Sequence, residues 1–266
     1  MQDTPPAAAA LRLERDGAIA FIVADNSARM NALTAAMWKA LPELVAAAEQ
    51  DDEIRVIVLR GAGTRAFSAG ADISEFDSAR SGDKAKDYDA LNDAAFQALS
   101  QCSKPTITMI HGFCLGGGLG LALCTDIRLA DDKAEFAIPA AKLGIGYNAR
   151  WVRPLLAAVS ASRAKEMLFT GRRFKVAEAS AMGLVNEIVP APELEARTRA
   201  LAKDIAANAP LTVRAAKSVI DELVRQPESA DMAALDAAVA ICFDSDDYVE
   251  GRRAFLEKRK PQFKGR

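Results

Sequence analysis

Two apolar runs most limit what this chain can become. IRVIVLR at residues 54–60 and PTITMIHG at 105–112 are short, rich in β-branched residues, and bounded by glycine. Runs of that length and composition read as buried strands rather than helices. Each then meets small residues, SAGAD at 68–72 and CLGGGL at 114–119, before the sequence turns to a helical pattern. A strand buried on both faces needs helices to cover it, which places the chain in the α/β class.

The rest of the sequence extends that frame. Residues 11–15 and 19–24 flank Asp16-Gly17, a hairpin signal, and 26–31 reads as a loop. Thr34 is positioned to cap a helix running to Gln50. A helix is expected over 88–101 and another over 119–124, with further strands at 126–130 and 136–138. From Ser162 onward six amphipathic segments follow one another, ending at 248–258. Strands alternating with helices give way to helices alone. The expected division is an α/β core over 1–195 and a helical lobe over 196–266.

Several function classes fall away. Thirty-four Lys and Arg against 36 Asp and Glu leave a formal charge of −2, without the basic excess of a nucleic-acid binder. The opening residues carry no basic segment followed by an apolar core, and no apolar run approaches a membrane span. A cytoplasmic protein with no membrane partner is expected. Cys102, Cys114, Cys124 and Cys242 form no CxxC pair and read as buried thiols. The single histidine, His111, cannot build a multi-histidine zinc site, and no G-x-S-x-G elbow accompanies it for a serine triad. No metal is expected, and His111 reads as a structural residue at a strand end.

The small residues after the two strands have a physical use. Without Cβ atoms a ligand carbonyl can approach the backbone closely. A helix start offers unsatisfied N–H donors and the positive end of its dipole. Two such donors converging on one oxygen form an oxyanion hole. Either segment alone is weak evidence, because a triple glycine is as often a packed turn. It is no phosphate loop, since no Gly-Lys-Ser/Thr follows, and it lacks the G-x-G-x-x-G spacing.

In combination the motifs are specific. SAGADI at 68–73, KPTI at 104–107, HGFCLGGG at 111–118 and CTDIRLA at 124–130 stand in order. FTGRRF at 169–174, AMGLVNEIV at 181–189 and EGRRAFLEKRKPQF at 250–263 follow. This series resembles the enoyl-CoA hydratase/isomerase (crotonase) superfamily across nearly the whole chain. The resemblance implies a spiral of ββα units with a C-terminal helical trimerisation lobe, assembling as a trimer or a pair of trimers. It implies an acyl-CoA thioester as partner, with coenzyme A as part of the substrate and no tightly bound cofactor. By motif position, the amides of Ala71 and Gly117 would hold the thioester oxygen. Ala69, Asp72 and Ile73 would lie along the CoA, and Phe255 and Lys258 would reach CoA bound to a neighbouring subunit.

The sequence also departs from that family. Hydratases of this kind use two glutamates, and the matching positions here are Gly120 and Ala140. Adding water to a conjugated double bond needs a base and an acid, so ordinary hydration is expected to be weak. The candidate left nearby is Tyr147 in LGIGYN at 143–148, a segment similar to the methylmalonyl-CoA decarboxylase branch. That branch carries a histidine where Ala71 stands. Arg150 reads as a surface arginine at a helix start, with pairing to a substrate carboxylate as the alternative, and Trp151 reads as core or pocket wall. Glu75, Asp77 and Asp83 are carboxylates that could enter from 74–90. Enolate chemistry without the glutamate pair, a methylmalonyl-CoA-type decarboxylation using Tyr147, and a non-catalytic CoA-binding paralogue all remain open. So does a protein- or RNA-binding scaffold, the last opposed by the charge balance.

Overall fold

The first hairpin shows local sequence fixing the frame. In the computed structural model, which describes residues 9–76, 84–226 and 228–266, strands β1 (Ala10–Asp16) and β2 (Ile19–Asp25) pair antiparallel. Asp16 stands opposite Ile19, and Gly17 takes a φ of +58°, the left-handed geometry that a tight hairpin turn requires. Helix α1 (Ala35–Gln50) begins where its cap predicts: the Thr34 side chain accepts from the Met37 amide at 3.2 Å. At the other end Lys104, buried, donates Nζ to the Ala48 carbonyl at 3.0 Å and the Asp51 carbonyl at 2.6 Å. The lysine of KPTI is thus a tie for the end of a helix.

From there the chain winds between two sheets. Strands β3 (Val56–Gly61) and β4 (Ala66–Ser68) precede α2 (Lys84–Ser100). Strands β5 (Thr106–Ile110) and β6 (Phe113–Leu115) precede α3 (Gly117–Leu123). Strands β7 (Ile127–Asp131) and β8 (Glu135–Ala137) lead through a 3-10 turn, Pro139–Leu143, into α4 (Ala149–Ala158) and α5 (Ala161–Thr170). Then β9 (Phe174–Lys175), α6 (Val176–Ala181) and β10 (Glu187–Val189) complete the core. The first strand of each unit joins a six-stranded sheet ordered β1-β2-β3-β5-β7-β10, and the second joins a four-stranded sheet ordered β4-β6-β8-β9. Pairing is parallel except for β1 with β2 and β8 with β9. This is the expected spiral of ββα units.

Both faces of the large sheet are covered, as the unbroken apolar runs require. Along β2, Ala20, Ile22 and Ala24 belong to the core shared with α1, while Ile19, Phe21 and Val23 face a second apolar layer. That layer is closed by α7 (Leu194–Ala206) through Leu194 and Ala202. At the end of β5, His111 Nδ1 lies 3.1 Å from Asp131 Oδ2, which also accepts from the Gly112 amide at 2.9 Å. Asp131 accepts from Lys133 N through its other oxygen at 2.9 Å. His111 therefore ties β5 to β7, the structural role read from the sequence. Cys102, Cys114 and Cys124 are buried free thiols, while Cys242 is only half-buried.

The chain ends in α8 (Pro210–Arg225), α9 (Met232–Phe243) and α10 (Asp246–Leu256). Helix α9, MAALDAAVAICF, is apolar nearly all round, yet Leu235 is its only buried residue. Met232, Ile241 and Phe243 are all more than half exposed. A helix of that composition ordinarily lies inside a core or an interface. Among the described residues no helix is long and apolar enough to cross a membrane, and none cluster as three or more metal-ligating His, Cys, Asp or Glu.

Candidate functional site

The first small-residue bend is held by the loop before α1. Asn31, at φ +55° and buried, donates its side-chain amide to the carbonyls of Ala62 at 3.0 Å and Ala66 at 2.8 Å. Ser68 Oγ donates to the Asn31 carbonyl at 2.8 Å and accepts from the Gly70 amide at 3.1 Å. The Leu33 amide donates to the Gly70 carbonyl at 2.7 Å, and the Asp72 amide donates to the Leu33 carbonyl at 2.9 Å. In a parallel bridge of this kind, with Leu33 opposite Ala71, the flanking residues make the bonds. The N–H of Ala71 itself points to the other side.

The second bend supplies the facing wall. Gly116, at φ +50°, is the N-cap of α3, a conformation glycine adopts without Cβ strain. It puts Gly117 at the first helical position, where the amide has no intrahelical partner. The two segments are nearly in contact. A Cβ built on Gly70 would lie 2.9 Å from the Leu115 carbonyl oxygen and 3.3 Å from the Gly117 nitrogen. One built on Gly117 would lie 3.7 Å from the Ala71 nitrogen. Glycine at 70 is what lets these backbones meet, while glycine at 117 leaves room for the Trp38 ring, which its Cβ would approach to 3.0 Å.

Both amides border a cavity of about 90 Å³. Its mouth carries Ile73 and Leu143, each at least half exposed, and its floor is made by Phe96, Ile138 and Trp151, all buried. Ala69, Ala140, Asn92 and Tyr147 complete the parts that matter for chemistry. Among the described residues no Asp, Glu, Lys, Arg or His lines it. The one titratable side chain is Tyr147. Burial, with a smaller push from Cys124, raises its phenol above the ordinary value, so at neutral pH it is a hydrogen-bond donor and not a base.

The positions that lack carboxylates are filled in different ways. A Cβ at Gly120 would stand 2.7 Å from the tip of the Phe96 ring. The aromatic side chain occupies the space that a residue at 120 would need. Phe96 is locked edge-on between Trp38 at 5.8 Å and Trp151 at 6.4 Å, and Trp151 stacks edge-on with Tyr147 at 5.5 Å. Ala140 is buried on the cavity wall and contributes a methyl group.

The sequence-derived candidates divide into those brought together and those held apart. Ala69, Ala71, Ile73, Gly117 and Tyr147 share the cavity. Asp72 is turned away from it: its carboxylate receives Arg29 Nη1 at 2.9 Å and the Ser74 amide at 3.0 Å. Burial pushes the Asp72 pKa up, but the bonds from Ser74 and Arg29 outweigh it and hold the group below its usual value. Phe255 and Lys258 lie at the far end of α10 and do not line the cavity; Phe255 is 84% exposed. Trp151 is pocket wall, as read.

Arg150 is the surface arginine read from the sequence, and the alternative of a carboxylate partner in the cavity falls away with that of Glu75 as a base. Arg150 does not reach the cavity; its guanidinium pairs with Asp93 and stays largely in solvent. Glu75 is engaged at the start of α1, accepting from the Ala35 amide at 2.7 Å. Asp77 and Asp83 lie outside the described residues. Sequence reasoning missed Asn92 and Phe96, which face the cavity one turn apart on α2. Their four-residue spacing was the available signal. It also missed Asp93, which accepts from Trp151 Nε1 at 2.8 Å and so fixes the ring that floors the site.

Known proteins resemble this chain over nearly its whole length. Residues 14–266 match the family model described as enoyl-CoA hydratase/isomerase. The chain is 33% identical over 255 residues to a short-chain-enoyl-CoA hydratase of Clostridium acetobutylicum, covering 96% of this chain and 97% of that one. It is 34% identical over 263 residues to a carnitinyl-CoA dehydratase of Salmonella arizonae, covering 96% and 98%. The crystal structure of an enoyl-CoA hydratase/carnithine racemase from Magnetospirillum magneticum superposes with a TM-score of 0.92 at 39% identity, covering 96% of each chain.

Proposed function

The chain belongs to the enoyl-CoA hydratase/isomerase family, and from that premise we propose that it is an acyl-CoA enzyme that stabilises an enolate without the usual pair of carboxylates. The observation that carries this reading is the composition of the cavity: the backbone amides of Ala71 and Gly117 beside a lining that, among the described residues, holds no charged side chain. The thioester oxygen accepts from both amides. As a bond at Cα is made or broken, negative charge moves onto that oxygen, where fixed donors in a low-dielectric site stabilise it most. Tyr147, kept protonated by burial, donates to the acyl group or protonates Cα, and its phenolate regains a proton from water. It cannot activate water as a base at neutral pH. Ordinary hydration is therefore weak, in contrast to what the names of the hydratase relatives would suggest.

A specific observation favours a second reading within this one. Loss of CO2 from a malonyl-type thioester needs no base: the C–C bond electrons pass directly into the enolate. Among the described residues the cavity holds no cation, which leaves such a carboxylate desolvated beside Tyr147 and Asn92, with the Trp151 indole N–H engaged by Asp93. Arg150, engaged by Asp93, takes no part.

The rest of the proposal concerns coenzyme A and assembly. CoA lies over the first bend, along Ala69, Asp72 and Ile73, with Ile73 exposed at the mouth to receive it. The exposed rings and chains of α9 and α10 support a homotrimer or a dimer of trimers built through the helical lobe after the 1–195 core, in which Phe255 and Lys258 meet CoA on a neighbour. Two assays test the chemistry. Crotonyl-CoA is expected to bind with no rapid loss of its conjugated absorbance. Methylmalonyl-CoA is expected to yield propionyl-CoA by mass; binding without any product would leave a CoA-binding paralogue instead.

A further inference from the structure

A second, larger space lies behind the site. Helices α2, α4 and α8 enclose a cleft of about 920 Å³, roughly ten times the volume of the cavity beside Ala71 and Gly117. Among the described residues one side chain borders both spaces: Phe96. Its ring is buried, stands between Trp38 and Trp151 at right angles to both, and fits only because residue 120 is glycine. On the cleft side Leu123, Leu156 and Val224 stand among charged side chains such as Arg153 and Asp221, so the space beyond the ring is wide and mixed in character.

We propose that Phe96 is the residue that sets acyl-chain length, a partition closing the cavity to all but short acyl groups. This rests on the reading that the cavity takes the acyl group of a CoA thioester. A ring held edge-on from both sides does not swing aside as a lone side chain would, and close-packed surroundings transmit little accommodation. An acyl group entering at Ile73 and Leu143 with its carbonyl at the two amides meets the face of Phe96 after a few carbons. Removing the ring joins the cavity to the cleft, where a longer chain finds room beside Leu123. The same substitution that removes a carboxylate from position 120 thus admits the aromatic wall.

The test is the ratio of affinities for octanoyl-CoA and butyryl-CoA, measured by calorimetry on one preparation so that the folded fraction cancels. Wild-type protein is expected to prefer butyryl-CoA by roughly tenfold or more, the scale on which a pocket rejects excess methylenes. Phe96→Ala is expected to shift the ratio toward octanoyl-CoA by at least that factor, and Phe96→Leu by less. A wild-type series that binds both esters equally, or variants that fold and keep the wild-type ratio, would overturn the proposal while leaving acyl-CoA binding intact. Wild-type protein that binds neither ester would overturn the reading beneath it as well. If both variants fail to fold, the wild-type series alone decides.

Discussion

The two halves of the site are built from different materials. The half proposed to hold a thioester oxygen is backbone: Ala71 and Gly117 offer amides placed by a β-bridge to Leu33, a helix start, and glycines at 70 and 116 with φ of +96° and +50°. The half that would move protons is side chain, and there glycine and alanine stand at 120 and 140 beside Phe96, Trp151 and Tyr147. A backbone donor is not removed by changing its own side chain and is displaced only where the supporting backbone is forced to move, as at Gly70. A carboxylate is lost by one substitution. On the proposed reading, the contrast is a way for one fold to keep the recognition of a thioester while its reaction changes.

The largest expected effect breaks the backbone half. Gly70→Ala forces an L-residue to φ +96° and drives its Cβ to 2.9 Å from the Leu115 oxygen. The strain costs about 1–3 kcal/mol, and misplacing the facing amide lowers turnover by about 10²–10³-fold; acyl-CoA titration and single-turnover assays read both. Tyr147→Phe comes next, on the side-chain half. It is expected to slow product formation by about 10²-fold with little change in unfolding midpoint. Because the phenol titrates above its ordinary range, the wild-type rate is expected to show no limb assignable to Tyr147 between about pH 6 and 9.

Gly120→Glu then asks whether the family's carboxylate can simply be put back. Its Cβ meets Phe96 at 2.7 Å, so the account expects a loss of about 1–3 kcal/mol in denaturant unfolding from overpacking, with no gain of crotonyl-CoA hydration. The smallest effect lies beside the site. Asp72 has a depressed folded pKa, so its contribution is present above its unfolded value and fades as pH falls through the folded one. Asp72→Asn is expected to cost under about 1 kcal/mol at pH 7, since Arg29 is largely exposed, and to lessen the loss of stability below about pH 4.

The legibility of the sequence follows the same division. Strands β3 and β5, the Thr34 cap and the two glycine bends were readable because periodicity, capping chemistry and φ requirements are local. Strands β4, β6, β9 and β10 are two or three residues long and carry no period to detect; only pairing with distant segments makes them strands. The absence of carboxylates at 120 and 140 was visible by motif position. What replaced them was not. Phe96 reaches Gly120 from a helix that precedes it by some twenty residues, and Arg150 is drawn to Asp93 across 57 residues. Contacts between helices are set by packing, which a linear pattern does not encode.

The most direct test of a site with an intact thioester cradle and no hydrating pair is to follow binding and chemistry in one sample. Crotonyl-CoA titrated into the protein, with calorimetric heat and conjugated absorbance recorded together, is predicted to saturate while the absorbance stays constant over the minutes of the experiment. Rapid, catalytic loss of absorbance would contradict the account, because it would show that water is activated and Cα protonated without the carboxylates that Gly120 and Ala140 replace.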